Sequence, residues 1–143
     1  MNIYQTARVT AGLTQERSSE ALDISVESLR LYETDRRVPP NSVVARMADL
    51  YNSQYLIVQH VRQADELARS LIPEIHQLPL EQATMRIYRL VRDFVRKQRT
   101  DDLIDIAADG IIDEAERPAF DAIMCELEGI VAAFYELRTE QEV

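Results

Sequence analysis

The stretch Leu13 to Tyr32, LTQERSSEALDISVESLRLY, limits the fold more than any other part of the chain. It reads as two short helices joined by a tight turn. Thr14 suits the N-cap of the first and Ser25 that of the second, because each hydroxyl can accept from a backbone N–H left unpaired at a helix start. Asp23 falls between them, where a tight turn needs a left-handed residue; Asp tolerates that conformation better than most side chains. Ala21, Leu22, Ile24, Leu29 and Tyr32 are spaced so that both helices can pack into one small core. That packing leaves Val26, Glu27, Ser28 and Arg30 pointing outward near the start of the second helix.

The flanking sequence supplies the rest of an N-terminal helical domain. A helix is expected from Ile3 to Ala11, with Tyr4, Ala7 and Val9 to Ala11 facing the core, and Gly12 ends it. Pro39-Pro40-Asn41-Ser42 stops the chain and restarts it as a fourth helix, Val43 to Tyr51. Asn52-Ser53 caps a fifth from Gln54 to at least Gln63, closing the domain with Tyr55, Leu56, Val58 and Val61. The segment RSLIPEIHQLP, residues 69–79, has two prolines and reads as a partly apolar, packed linker. The expected organisation is therefore a five-helix domain over 1–68, the linker 69–79 and a smaller acidic helical domain of about three helices over 80–143.

In that second half, Leu80, Ala83, Ile87, Leu90, Val91 and Phe94 recur at three and four, the spacing of an amphipathic helix running to about Gln98. Arg86, Arg89, Arg92, Arg96, Lys97 and Arg99 make a basic stripe that offers a second DNA contact, although a solvated face paired with the acids that follow is the favoured reading. Thr100 or Asp101 caps a short helix from Asp102 to Ala108, and Gly110 stops it. Asp105 to Glu116, DIAADGIIDEAE, has much of a calcium-loop pattern, but Ala107 stands where a ligand is required. Helix-end chemistry accounts for the same residues: Gly110 as a left-handed C-terminal stop, Asp113 with Glu116 as a capping pair. Beyond Pro118, in the opening turn of the last helix, Phe120, Ile123, Met124, Leu127, Ile130, Val131, Phe134 and Leu137 form a long seam. It can pack on the Leu80–Phe94 helix and is long enough to pair two chains, with Leu127, Ile130, Val131 and Phe134 as the candidate homodimer interface and Gly129 permitting close approach.

From Ile3 to about Val61 the sequence resembles the helix-turn-helix domain of the phage-repressor (Cro and C1-like, XRE-type) transcriptional regulators. The resemblance is carried by Ala7, Arg8, Gly12, Leu13-Thr14-Gln15-Glu16, Ile24-Ser25, Leu29, Tyr32-Glu33, Arg36-Arg37, Pro39 and the apolar set Val43, Val44, Met47, Ala48 and Leu50. Asp23 and Asp35 stand where that family commonly has glycine. The resemblance implies an all-α, lambda-repressor-like fold for this half and a sequence-specific regulator, a repressor, bound to a double-stranded DNA operator. It also places Gln15 at a phosphate, bracing Val26 or Glu27. The residues themselves agree, since a short helix held rigidly by a partner, its N-terminal side chains free, can enter the major groove. The candidate DNA-contacting set is Gln15, Ser25, Val26, Glu27, Ser28, Arg30, Arg36 and Arg37.

Charge decides where phosphate contacts can come from. Residues 1–62 hold seven Arg against seven acids, so all of the net charge of −9 lies beyond them. A DNA reader without net positive charge draws little from sequence-independent phosphate neutralisation, so its local cations matter. Arg36 and Arg37, directly after the second helix of the pair, are the first of these; Arg8, Arg17 and Arg30 can join them.

Other chemistry has little support. The single Cys125 allows no intrachain disulfide and, between Met124 and Glu126, reads as a small buried hydrophobe. His60, placed on the flank of helix five, and His76, in the linker, belong to no metal-ligand cluster. The three glycines form no phosphate loop, and no nucleophile has a base at a useful spacing. An enzyme is not expected, nor a cofactor or metal. No run of 18 apolar residues and no signal-peptide core is present, so a cytoplasmic protein without a membrane span is expected. The alternative to the repressor is an antitoxin-like or adaptor protein whose acidic helical half binds a protein partner.

Overall fold

The computed structural model describes residues 1–140. Among them the chain is all-helical: α1 (Ile3–Thr10), α2 (Gln15–Leu22), α3 (Val26–Glu33), α4 (Asn41–Leu50), α5 (Gln54–Ala64), α6 (Glu66–Leu71), α7 (Leu80–Arg96), α8 (Arg99–Ala107) and α9 (Arg117–Arg138). They fall into two compact units. One comprises Met1–Ile72 with Thr139 and Glu140; the other is Pro73–Arg138. Arg69–Leu71, expected in a linker, are the last turn of α6. Residues 141–143 of the expected second domain lie outside the described residues. No described helix is long and apolar enough to cross a membrane.

One local device ends each of the first four helices. Gly12, Asp23, Asp35 and Asn52 all have positive φ, between 50° and 73°. In each case the next residue's N–H reaches back five positions and the left-handed residue's own N–H reaches back three: Leu13 to Arg8 and Gly12 to Val9, Ile24 to Ser19 and Asp23 to Glu20, Arg36 to Leu31 and Asp35 to Tyr32, Ser53 to Ala48 and Asn52 to Asp49. This pair of bonds is the Schellman motif, which satisfies carbonyls orphaned at a helix end. Asn52 thus ends α4 rather than capping α5, and Ser53 makes no side-chain cap bond. At Asp35 the strain is offset by Asn2, whose Nδ2 donates to Tyr32 O at 2.7 Å and to Asp35 Oδ1 at 3.0 Å.

The core of the first unit is one cluster: Tyr4, Leu22, Leu29, Tyr32, Val43, Val44, Met47, Tyr51 and Leu56, with Ile3, Ala7, Leu13, Ile24 and Leu50 packed against it. Four residues expected inside are exposed, Val9, Thr10, Ala11 and Ala21; the inward position next to Val9 is taken by Arg8. His60, expected on a flank, is buried instead. Its Nδ1 meets the Tyr4 hydroxyl at 2.7 Å and its Nε2 meets Asn41 Oδ1 at 3.0 Å, joining α1, α4 and α5. Burial lowers the His60 pKa and pushes Tyr4 up to about 12.

The second unit is an α7–α9 pair with α8 packed on both. Arg86 meets Glu136 at 3.4 Å while Lys97 meets Glu126 at 3.6 Å, so α7 and α9 run antiparallel. Gln98 adopts φ 58° at the corner, and α8 starts at Arg99. Thr100 and Asp101 therefore lie inside its first turn instead of capping it. Gly110 has φ 79°, and Asp113 and Glu116 exchange reciprocal bonds: Asp113 N–H to Glu116 Oε2 at 3.2 Å, Glu116 N–H to Asp113 Oδ1 at 2.8 Å. That is a capping box. Cys125 is exposed, contrary to expectation, because Ile123, Leu127 and Ile130 supply the inward face of α9.

Candidate nucleic-acid interface

The two helices α2 and α3 are set by their ends. Thr14 is extended and its hydroxyl accepts from the Arg17 N–H at 3.2 Å. Ser25 is extended too, and its Oγ accepts from the Ser28 N–H at 3.0 Å and donates to Ser28 Oγ at 2.9 Å. Between them the left-handed Asp23, with φ 55° and ψ 45°, reverses the chain. Arg46 of α4 fixes the corner by donating to the Leu22 carbonyl at 2.7 Å.

Beneath α3 lies a buried charge cluster. Arg8 of α1 donates through Nε and Nη2 to the two carboxylate oxygens of Glu33, at 2.6 Å and 3.1 Å, and through Nη1 to Leu13 O at 2.7 Å. Gln15 Nε2 adds a bond to Glu33 Oε2 at 2.8 Å. The Glu33 side chain is 2% exposed and that of Arg8 10%. Planar guanidinium and carboxylate match two by two, so the pair fixes orientation as well as charge. Its bond to Glu33 holds the Arg8 pKa above the ordinary arginine value. One carboxylate at the end of α3 thus ties together α1, the start of α2 and α3.

The outward side of α3 is short and polar. Leu29 and Tyr32 are buried, Glu27 and Arg30 are exposed, and Val26 and Ser28 are partly exposed. Glu27 and Arg30 pair with each other at 3.2 Å, both more than half exposed. Arg36 and Arg37 follow in the exposed turn, where the Arg37 guanidinium lies 5.9 Å from the Tyr32 ring centroid. Arg17 is exposed on α2. Arg8 was counted as a candidate phosphate contact, but the bond to Glu33 and its burial take it out of that set. Gln15 makes its hydrogen bond to Glu33 at the far end of α3 rather than to Glu27. Asn2 and Arg46 went unremarked in the sequence, and Glu33 was noted only as part of the resemblance and not as a buried partner, since nothing in residue spacing announces a contact made across 24 to 33 residues.

The other candidate set divides. Leu127 and Ile130 are partly buried within the α7–α9 pair, whereas Val131 and Phe134 are exposed. The basic stripe of α7 is largely consumed locally: Arg86 on Glu136, Arg92 on Asp93, and Lys97 and Arg99 on Glu126. Among the described residues no group of three His, Cys, Asp or Glu side chains converges as a metal site requires.

Two capped helices around a left-handed corner, the second locked from below and bare above, define a helix-turn-helix. Residues 5–54 match the model of a family described as a helix-turn-helix domain, and that domain marks a DNA-binding regulator. No curated protein and no solved structure matches the chain.

Proposed function

We propose that the chain is a sequence-specific transcriptional repressor of the phage-repressor type, which inserts the N-terminal turns of α3 into the major groove of an operator. The observation that carries this reading is the asymmetry of α3. Its inward face is fixed by Leu29, Tyr32 and the Arg8–Glu33 pair, while Glu27 and Arg30 are exposed and Val26 and Ser28 partly so. Rigid backing with free N-terminal side chains is what base readout needs. Arg30 can fork to guanine O6 and N7, Glu27 can accept from a cytosine amino group, and Val26 can touch a thymine methyl. Gln15, Arg36 and Arg37 serve the backbone phosphates, with Ser25 and Ser28 at the positive end of α3. Two copies, paired through the α9 seam that includes Val131 and Phe134, would engage two half-sites together.

Selection of bound fragments from random or genomic DNA tests this directly. Arg30→Ala should relax the preference at one G·C pair per half-site, since a bidentate base contact is worth about 1–3 kcal/mol at one position. Glu27→Ala should relax a neighbouring pair. An unchanged motif for both variants would show that this face of α3 does not read bases.

A further inference from the structure

Six exposed apolar residues of α7 and α9 each follow an inward-facing one by a single position. On α7, Tyr88, Val91 and Val95 follow Ile87, Leu90 and Phe94; on α9, Met124, Val131 and Phe134 follow Ile123, Ile130 and Ala133. One residue is a rotation of about 100° in a fixed sense. Because the two helices are antiparallel, the same rotation on each brings both stripes to the same side of the pair. The ion pairs Arg86–Glu136 and Lys97–Glu126 set the register, which places Tyr88 beside Phe134, Val91 beside Val131 and Val95 beside Leu127. The result is one apolar face two helices wide, whose six exposed members keep between 38% and 64% of their surface in contact with solvent. A shallow hollow of about 310 Å³ at Ile87, Tyr88, Val91 and Arg92 opens on it.

We infer that this face is covered by the same face of a second copy, giving a four-helix bundle in which α7 of each chain lies over α9 of the other. The pairing extends the two-copy reading above but rests on the α7–α9 hairpin alone. Area and charge argue for it. The six side chains expose roughly 500 Å², at the upper end of what a monomer leaves bare in one patch, and two copies together cover about 1,000 Å², the floor for a stable interface. A two-helix layer has no core until a second layer covers it, and here the buried apolar side chains on these two helices are small or few, Ala83, Ile123, Ala132 and Ala133, beside the buried carboxylate of Glu136. The flank of the face along α7 carries Arg92 and Arg96, and that along α9 carries Asp121 and Glu128. Stacking α7 on α7 would set the arginines against each other. A two-fold axis parallel to the helices instead lays α7 antiparallel on α9 of the other chain and brings Arg92 toward Glu128 of the second copy. In that arrangement Phe134 of the second copy lies at the level of the hollow.

Sedimentation equilibrium of the full chain tests the arrangement without DNA. The wild type should be a dimer at tens of micromolar. Val91→Asp, which replaces an exposed side chain, should be a monomer with unchanged far-UV circular dichroism. Arg92→Glu and Glu128→Arg should each weaken self-association roughly three- to ten-fold at low salt, and the two together should restore it. A monomeric wild type would overturn the inference and assign the face to a different protein. A dimer insensitive to Val91→Asp, or charge reversals whose combination restores nothing, would overturn it equally. Dimerisation without operator binding would sink the DNA reading alone, and operator binding by a monomer would sink the pairing alone.

Discussion

Replacing Arg8 by leucine should unfold much of the N-terminal unit. Glu33 is 2% exposed and takes two bonds from Arg8 and one from Gln15. Without the guanidinium its carboxylate keeps a single neutral donor and no counter-charge, and removing one partner of a buried ion pair costs about 3–5 kcal/mol. The double variant Arg8→Leu/Glu33→Leu removes both charges. It should recover most of that loss and leave about 1–2 kcal/mol for the amide of Gln15 and the carbonyl of Leu13, which lose their partners. The double variant is then about 1–4 kcal/mol more stable than Arg8→Leu alone. Hydrogen exchange read by mass spectrometry on peptides from residues 1–72 isolates this unit from the other and follows the opening free energy of α3. A loss below about 1 kcal/mol for Arg8→Leu, or a double variant no more stable than the single one, would refute the buried charge cluster as the element that holds α3.

Three further outcomes follow from the same geometry. Asp23→Ala should destabilise the unit by about 1 kcal/mol relative to Asp23→Gly, because φ is 55° there and only glycine takes that conformation without a Cβ penalty; urea denaturation of the two variants decides it. His60 is buried neutral with its pKa lowered from 6.5, so the unfolded chain binds the extra proton first, and stability should be full above about pH 6.5 and fall as pH drops below it; His60→Gln should flatten the pH dependence of the melting temperature, and an unchanged slope would count against the buried site. Gln15→Ala should weaken DNA binding evenly across sequences while also loosening Glu33, and a changed base preference in binding selections would contradict a phosphate contact.

Much of the first unit was legible from residue chemistry. A cap needs only a hydroxyl before an apolar run, and a left-handed corner needs Gly, Asp or Asn, so Thr14, Ser25, Gly12 and Asp23 could be placed from local sequence alone. The Asp113–Glu116 box was legible for the same reason, being a bond between residues three apart. Apolar spacing located α3, α4, α7 and α9, because periodicity reports which side of a helix avoids water. It overreached where a helix had more apolar residues than its neighbour could cover: Leu80, Val91, Met124, Val131 and Phe134 fit the helical pattern and are nonetheless exposed.

What only the tertiary structure decided were the long-range polar contacts and the sidedness of the seams. Arg8 counts as a surface cation until Glu33, 25 positions on, is brought beneath it. His60 looks like a flank residue until Tyr4 and Asn41 converge on its two ring nitrogens. Neither partner can be inferred from spacing, since a buried hydrogen bond is fixed by how helices cross and not by the sequence between them. The common apolar side of α7 and α9 likewise required their antiparallel direction, which the pairs Arg86–Glu136 and Lys97–Glu126 set. The sequence by itself determined that helices form, where they stop and which short helix stands with its N-terminal side chains free. Their crossings determined which charges are buried and which apolar stripes merge into one face, because those properties belong to pairs of helices and to no single one.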